Sequence, residues 1–201
     1  DPIALWWIFN EFPSRNLQMF YNVAKARNVV EIGRAIKPLT SPGLNFMYAD
    51  TLGNIAWWAA GKLHKRPAHV NPHMILDGAS GKDDILGWND FSTNPQIVNP
   101  ERGVLYTANN QPADMGNGLV AGYYVPSNRA NRIEELLFTD KKDWTEEQVR
   151  AVINDNKSST FDENVKDILD NVDDTKLTPQ SKAAKALLLK WDGSHNLTST
   201  E

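Results

Sequence analysis

Asn109, within Tyr106-Thr-Ala-Asn-Asn-Gln-Pro112, is the side chain best suited to chemistry. A carboxamide at the end of a strand can aim its NH₂ at the negative oxygen that develops when an acyl carbonyl is attacked. Removing such a donor typically costs roughly 10²–10³ in rate. Read from residue types alone, Asn-Asn before Gln-Pro is first of all a turn. Other combinations offer less. His64, His69 and His73 lie within ten residues, but Pro67 and Pro72 keep them off one helical face and no His-Glu-x-x-His arrangement accompanies them. They read as a loop. Asp77, Asp83 and Asp84 beside Gly78 and Gly81 lack the ligand order of a calcium-binding hand and read as turn chemistry. No Gly-x-Ser-x-Gly elbow presents a serine. The absence of cysteine removes thiolate metal sites, disulfides and a thiol nucleophile from these residues.

The elements that must position such groups follow from periodicity and punctuation. Ile3 to Phe9 is a continuous apolar run and reads as a strand buried on both faces. Ser14 is a candidate cap for a helix whose apolar face is Leu17, Phe20, Tyr21 and Ala24. Asn28 with Glu31 has the form of a capping box, Ile32, Ala35 and Ile36 follow at helical spacing, and Pro38 stops the run. Leu44 to Ala49 and Ile55 to Ala60, joined by Asp50-Thr-Leu-Gly-Asn54, predict a β-hairpin. Residues 61–100 read as long loops, of the kind that line a site or wrap a partner, and Gly103 to Thr107 as a further strand.

The last third changes character. Helices are expected over Asn131 to Phe138, from the capping box Thr145-Glu-Glu-Gln148 to about Asn154, across Asp162 to Asp174, and from Lys182 to Trp191 behind Thr178-Pro179. The domain reading is therefore 1–124, with strands, two helices and long loops, followed by a mainly helical 125–201.

Composition bounds the function. At 41% hydrophobic residues with seven Trp, the chain can build a core. A net charge of −4 with scattered basic residues gives no phosphate-backbone surface, so no nucleic-acid partner is expected. Lys62, Lys65 and Arg66 are the densest basic group and read as a solvated loop. No stretch approaches the ~18 apolar residues a membrane span requires.

Five landmarks come in a fixed order: Asn45-Phe-Met-Tyr-Ala-Asp50; Gly53-Asn-Ile-Ala-Trp-Trp58 with Gly61; Ile85-Leu-Gly-Trp88; Asn99-Pro-Glu-Arg-Gly103; and Thr107 to Pro112. Ala4 to Trp7, Ser127 to Leu137 and Leu189-Lys-Trp-Asp-Gly193 extend them. In this order they resemble the large chain of the penicillin acylase family, amide hydrolases whose nucleophile is that chain's N-terminal residue. The resemblance implies an α+β fold, part of the αββα sandwich of N-terminal-nucleophile hydrolases, with a mainly helical C-terminal part. It implies that Asn109 is one side of the oxyanion hole and that Arg129 orients it, with Arg132 competing if the register slips one turn. It further implies that Phe20 and Leu44 contact the acyl side chain.

The implied reaction is hydrolysis of an N-acyl amide, such as an acylated β-lactam or an acyl-homoserine lactone, through an acyl-enzyme. The sequence begins with Asp1, so it reads as an internal piece that lacks the nucleophile, inactive alone, whose partners would be the missing N-terminal part and the small chain. Exposed sheet edges would favour self-association. No metal or cofactor is expected. Calcium in a full-length member would need a carboxylate near Asn117-Gly118, and none is there. The resemblance also implies a periplasmic or extracellular setting. The contrasting reading is a non-catalytic binding or interaction module using Trp6-Trp7 and Trp57-Trp58. Neighbouring strand residues point to opposite faces, so neither pair would form one platform.

Overall fold

The computed structural model describes residues 2–113, 120, 122 and 124–198. They form an α+β fold in two compact units, Asp1–Val125 and Pro126–Glu201.

In the first unit, helix α1 (Asn16–Lys25) and helix α2 (Val29–Ile36) precede the hairpin of β1 (Leu44–Ala49) and β2 (Ile55–Ala60). The pairing is antiparallel, with Leu44 opposite Ala60, Phe46 opposite Trp58 and Tyr48 opposite Ala56. The expected hairpin is thus observed with its expected limits. Its turn is built around one carboxylate. Asp50 accepts bonds from the Leu52 and Asn54 backbone N–H groups, the Asn54 side chain and the Tyr48 hydroxyl, all at 2.8–2.9 Å. Gly53 takes the positive φ (85°) that lets the chain reverse.

Asn28 caps α2 by accepting from the Glu31 N–H at 2.9 Å, while the Glu31 carboxylate accepts from the Arg27 N–H. Caps of this kind are worth about 1 kcal/mol. Ile32, Ala35 and Ile36 are buried as the spacing predicted. With Met19, Leu39, Ala56, Trp58 and Ala60 they seal the even-numbered face of the hairpin. Helix α2 packs over the Trp58 indole at Gly33, where a Cβ would make ordinary van der Waals contact at 3.5 Å.

Three expectations for this unit are corrected. The run Ile3 to Phe9 is not a buried strand. It is extended chain ending in a 3-10 turn (Ile8–Asn10), with Leu5 87% exposed. A strand needs a partner, and no described strand offers one. Second, α1 packs on α2 with Met19, backed by Val23 and Ala26, while Leu17, Phe20, Tyr21 and Ala24 stay exposed. The helix has two apolar stripes at helical spacing, and tertiary contact selects the less conspicuous one. Third, residues 103–107 form no strand. The third strand of the sheet is β5 (Gln96–Val98), which pairs with β2 in the order β1-β2-β5.

Asn94, only 3% exposed, ties β2 down with its amide, which donates to the Ala59 and Gly61 carbonyls at 3.0 and 2.9 Å. The long loop carries a small ladder of β3 (His64–Lys65) and β4 (Gly87–Trp88).

The second unit is helical: α3 (Asn128–Leu137), α4 (Glu146–Ile153), α5 (Ser159–Asp170) and α6 (Pro179–Leu188). Thr145 and Gln148 complete a reciprocal capping box, and Thr178 caps α6 with Pro179 in its first turn. Helix α3 begins three residues before the expected start. Helix α6 spans Pro179–Leu188, earlier than the expected Lys182 to Trp191 at both ends.

Candidate functional site

Asn109 ends an irregular segment rather than a strand, and its backbone is left-handed (φ 58°). Few residues other than glycine adopt this conformation, asparagine most readily, and it costs enough that it persists where surrounding structure enforces it. Here the enforcement is visible. Ala108 before it is buried at 1% exposure, the Ala108 N–H donates to the Asn110 side chain, and the Val125 N–H donates to the Asn109 carbonyl at 3.0 Å. The Asn109 residue itself is exposed. The Asn109 backbone is thus anchored while the residue as a whole is exposed. The other left-handed asparagine, Asn99 (φ 48°), has structural work instead. Its side chain accepts from the Ile55 N–H and donates to Asn54, closing the end of β5 against β2.

Arg129 lies exposed in the first turn of α3, in the second unit, whereas Asn109 belongs to the first. Its competitor is committed elsewhere. The Arg132 guanidinium donates from Nε and Nη2 to the two oxygens of Asp155 at 2.9 and 2.8 Å, and from Nη1 to Glu135 at 2.8 Å. Two of its nitrogens hold α3 to the segment after α4, and the third bonds Glu135 within α3. The Arg132 hydrogen bonds hold the Asp155 carboxyl below the usual carboxylate range.

The sign of the resulting pH dependence is fixed. A depressed carboxylate stabilises the fold above its unfolded value, about 3.9, and the contribution is lost as pH falls through the lower folded value. Asp155→Ala should therefore cost about 2 kcal/mol in denaturant unfolding at pH 6. The difference from the parent should shrink as pH falls through that lower folded value. A pH-independent difference would remove the ion pair from the account.

Phe20 (53% exposed) and Leu44 (37%) belong to α1 and to the first position of β1, elements that both pack on α2. Each is more open than a core residue. The shallow groove of about 270 Å³ on α1 and α2 is lined by Asn22, Lys25, Ala26, Glu31, Arg34 and Ala35, and none of the candidate site residues borders it.

The histidines part company. His64 sits edge-on to Trp6 and Trp88, with ring centroids 5.8 and 6.3 Å away, and burial with nearby Arg66 pushes its pKa down. His69 meets Asp83 at 2.9 Å. Asp77 and Asp83 accept backbone N–H bonds, the turn chemistry expected of them. Among the described residues no group of three or more His, Asp or Glu could hold a metal ion. Asn117-Gly118 lies outside the described residues. The tryptophan pairs diverge as well: Trp58 is buried, whereas Trp57 donates to Asn45 on the opposite face.

Sequence reasoning missed Asn94 and the left-handed backbone of Asn109. The Asn94-Pro95 and Asn99-Pro100 steps flanking β5 were the available signals for the strand between them.

Set against known proteins, the whole chain, residues 1–201, matches the family model described as Penicillin amidase. It is 30% identical over 156 residues to the Penicillin G acylase of Escherichia coli, covering 75% of this chain and 18% of that protein. It is 27% identical over 130 residues to the acyl-homoserine lactone acylase QuiP of Pseudomonas fluorescens, covering 64% of this chain and 16% of the relative. Among solved structures, the thermostable Penicillin G acylase from Alcaligenes faecalis superposes with a TM-score of 0.68 at 26% identity, over 90% of this chain and 33% of that one. The chain therefore spans less than a fifth of these curated relatives.

Proposed function

The chain belongs to the penicillin amidase family, and from that membership we propose that it supplies part of the active site of an acylase that hydrolyses N-acyl amides. The observation that supports the reading is Asn109, an exposed residue on left-handed backbone anchored by Val125. In the reaction, a nucleophile outside these 201 residues, for which the N-terminal hydroxyl residue of the family is the candidate, attacks the amide carbonyl while its hydroxyl proton passes to its own α-amine, which later hands it to the leaving amine. The carbonyl π electrons move onto oxygen, where the Asn109 N–H₂ donates to the developing charge. Collapse expels the amine, which leaves protonated, and the ester-linked acyl group remains on the nucleophile. Water, giving a proton to the α-amine, then attacks that acyl group through a second tetrahedral oxyanion held by the same donor, and its collapse breaks the acyl–oxygen bond, frees the carboxylic acid and returns the proton to the nucleophile's hydroxyl.

Arg129 is assigned to orientation and electrostatics, and Phe20 with Leu44 to the acyl wall. Penicillin G and acyl-homoserine lactones, after which two of the relatives are named, are the substrates to try first. Calcium is not required by any step. A periplasmic or extracellular setting follows the family and is part of the same proposal.

The test is turnover. The chain alone is expected to release no amine from an N-acyl amide. Co-expression with the remainder of a penicillin G acylase large chain, carrying its N-terminal nucleophile and the small chain, should restore release. Turnover by the chain alone would overturn the assignment of the nucleophile. Assembly of the pieces without turnover would favour a binding module built on the acylase fold.

A further inference from the structure

The left-handed backbone of Asn109 has to be held, because a residue with a Cβ prefers the right-handed or extended regions when nothing opposes it. Long-range ties fix the chain on either side. Ala108 is buried, and the Val125 N–H donates to the Asn109 carbonyl at 3.0 Å. Two residues further on, the Gln111 side-chain amide donates to the Val120 carbonyl, also at 3.0 Å. These ties hold the ends of the turn and leave rotation of the peptide planes between Ala108 and Gln111.

One local bond opposes that rotation. The half-buried Asn110 turns its side-chain oxygen back to accept from the Ala108 N–H at 3.3 Å. The ring this bond closes runs through the N, Cα and C atoms of Asn109, so both soft torsions of that residue lie inside it. With the flanking chain tied, moving Asn109 out of the left-handed region swings the Ala108 N–H and the Asn110 oxygen apart. Bond and conformation therefore stand together. They are also matched in energy, since a left-handed residue costs about as much as one net hydrogen bond contributes.

We propose that Asn110 is a positioning residue, whose carboxamide oxygen, bridging to the Ala108 N–H, completes the hold on the left-handed backbone of Asn109 and so fixes the direction of its Cα–Cβ bond. Asn110 acts through its neighbour and not on the substrate. The effect on turnover rests on the reading of Asn109 as the oxyanion donor, whereas the conformational effect does not. The two asparagines have opposite requirements. Position 109 needs a donor, and position 110 needs only an acceptor, so aspartate can serve at 110 as a holder of the turn.

Nuclear magnetic resonance on the 201-residue chain reads the conformation. A positive φ brings the amide and α protons of one residue close together and gives a strong cross-peak between them. Asn109 should show it in the parent and in Asn110→Asp, which keeps the acceptor. Most of it should be lost in Asn110→Leu, which keeps the bulk without the acceptor, with circular dichroism unchanged. Kinetics on an assembled acylase read the consequence. Asn110→Leu should lower kcat about tenfold and leave KM within about threefold, a smaller loss than deleting the donor itself. In an Asn109→Gly background the same substitution should change kcat by about twofold or less, because the group it positions is gone. A left-handed signature that survives Asn110→Leu would overturn the proposal, and so would a kcat loss undiminished in the glycine background. A lost signature with kcat unchanged would uphold the hold on Asn109 and overturn its oxyanion role instead.

Discussion

Replacing Asn109 with glycine in an assembled, active acylase should lower kcat by roughly 10²–10³ and leave KM within about threefold. Glycine is the informative substitution because the backbone there is left-handed. Alanine would lose the carboxamide and also strain the chain by about 1 kcal/mol, confounding chemistry with geometry. Glycine accepts φ 58° freely, so only the donor is lost. Asn109→Asp should be at least as damaging, because a carboxylate keeps the shape and presents negative charge where negative charge develops. Steady-state kinetics on one N-acyl amide, with binding of an unreactive analogue measured in parallel, separates these effects. If the glycine variant kept its rate within threefold, the oxyanion assignment would fail and Asn109 would be a turn residue after all.

The second large effect is on stability. Trp58 is 3% exposed at the centre of the buried sheet face, packed against α2 at Gly33. Trp58→Ala should destabilise the first unit by about 3–5 kcal/mol, the lost transfer energy of the indole together with the cavity it leaves. That is a large fraction of the 5–15 kcal/mol available to a typical domain. Denaturant unfolding monitored by circular dichroism should show an earlier transition. Trp57→Ala is the matched control, since that indole lies on the other face and donates to exposed Asn45. It should cost about 1 kcal/mol or less. Equal losses at the two positions would contradict the assignment of the hairpin's faces.

What the sequence made legible was local. The hairpin limits, the Asn28 and Thr145 caps and the core face of α2 all depend on residues within a few positions of one another. The failures share a cause of the opposite kind. Ile3 to Phe9 and Gly103 to Thr107 have strand composition, yet strands exist only in pairs, and neither run pairs in the described structure. On α1 the stripe containing Phe20 and the stripe containing Met19 have equal periodicity, so only the docked partner decides between them. The candidate site divides in the same way. The identity of Asn109 came from the order of landmarks. Its left-handed backbone could not be read from the sequence, because it is imposed by Val125, sixteen positions away. The pairing of Arg132 with Asp155, twenty-three positions away, was likewise beyond local reading.

The Asp50 turn has a consequence for the order in which this molecule assembles. Four bonds converge on one carboxylate between Tyr48 and Asn54, so the loop that must close before β1 meets β2 is among the shortest in the chain. Early closure there creates a ribbon with one apolar side before any longer-range contact is made. Helix α2 can then settle onto that ribbon from only about twenty positions upstream, whereas β5, Asn94 and the Asn109 anchor must all wait for the long loop to return. Nascent chain would thus acquire its scaffold first and its chemical equipment last.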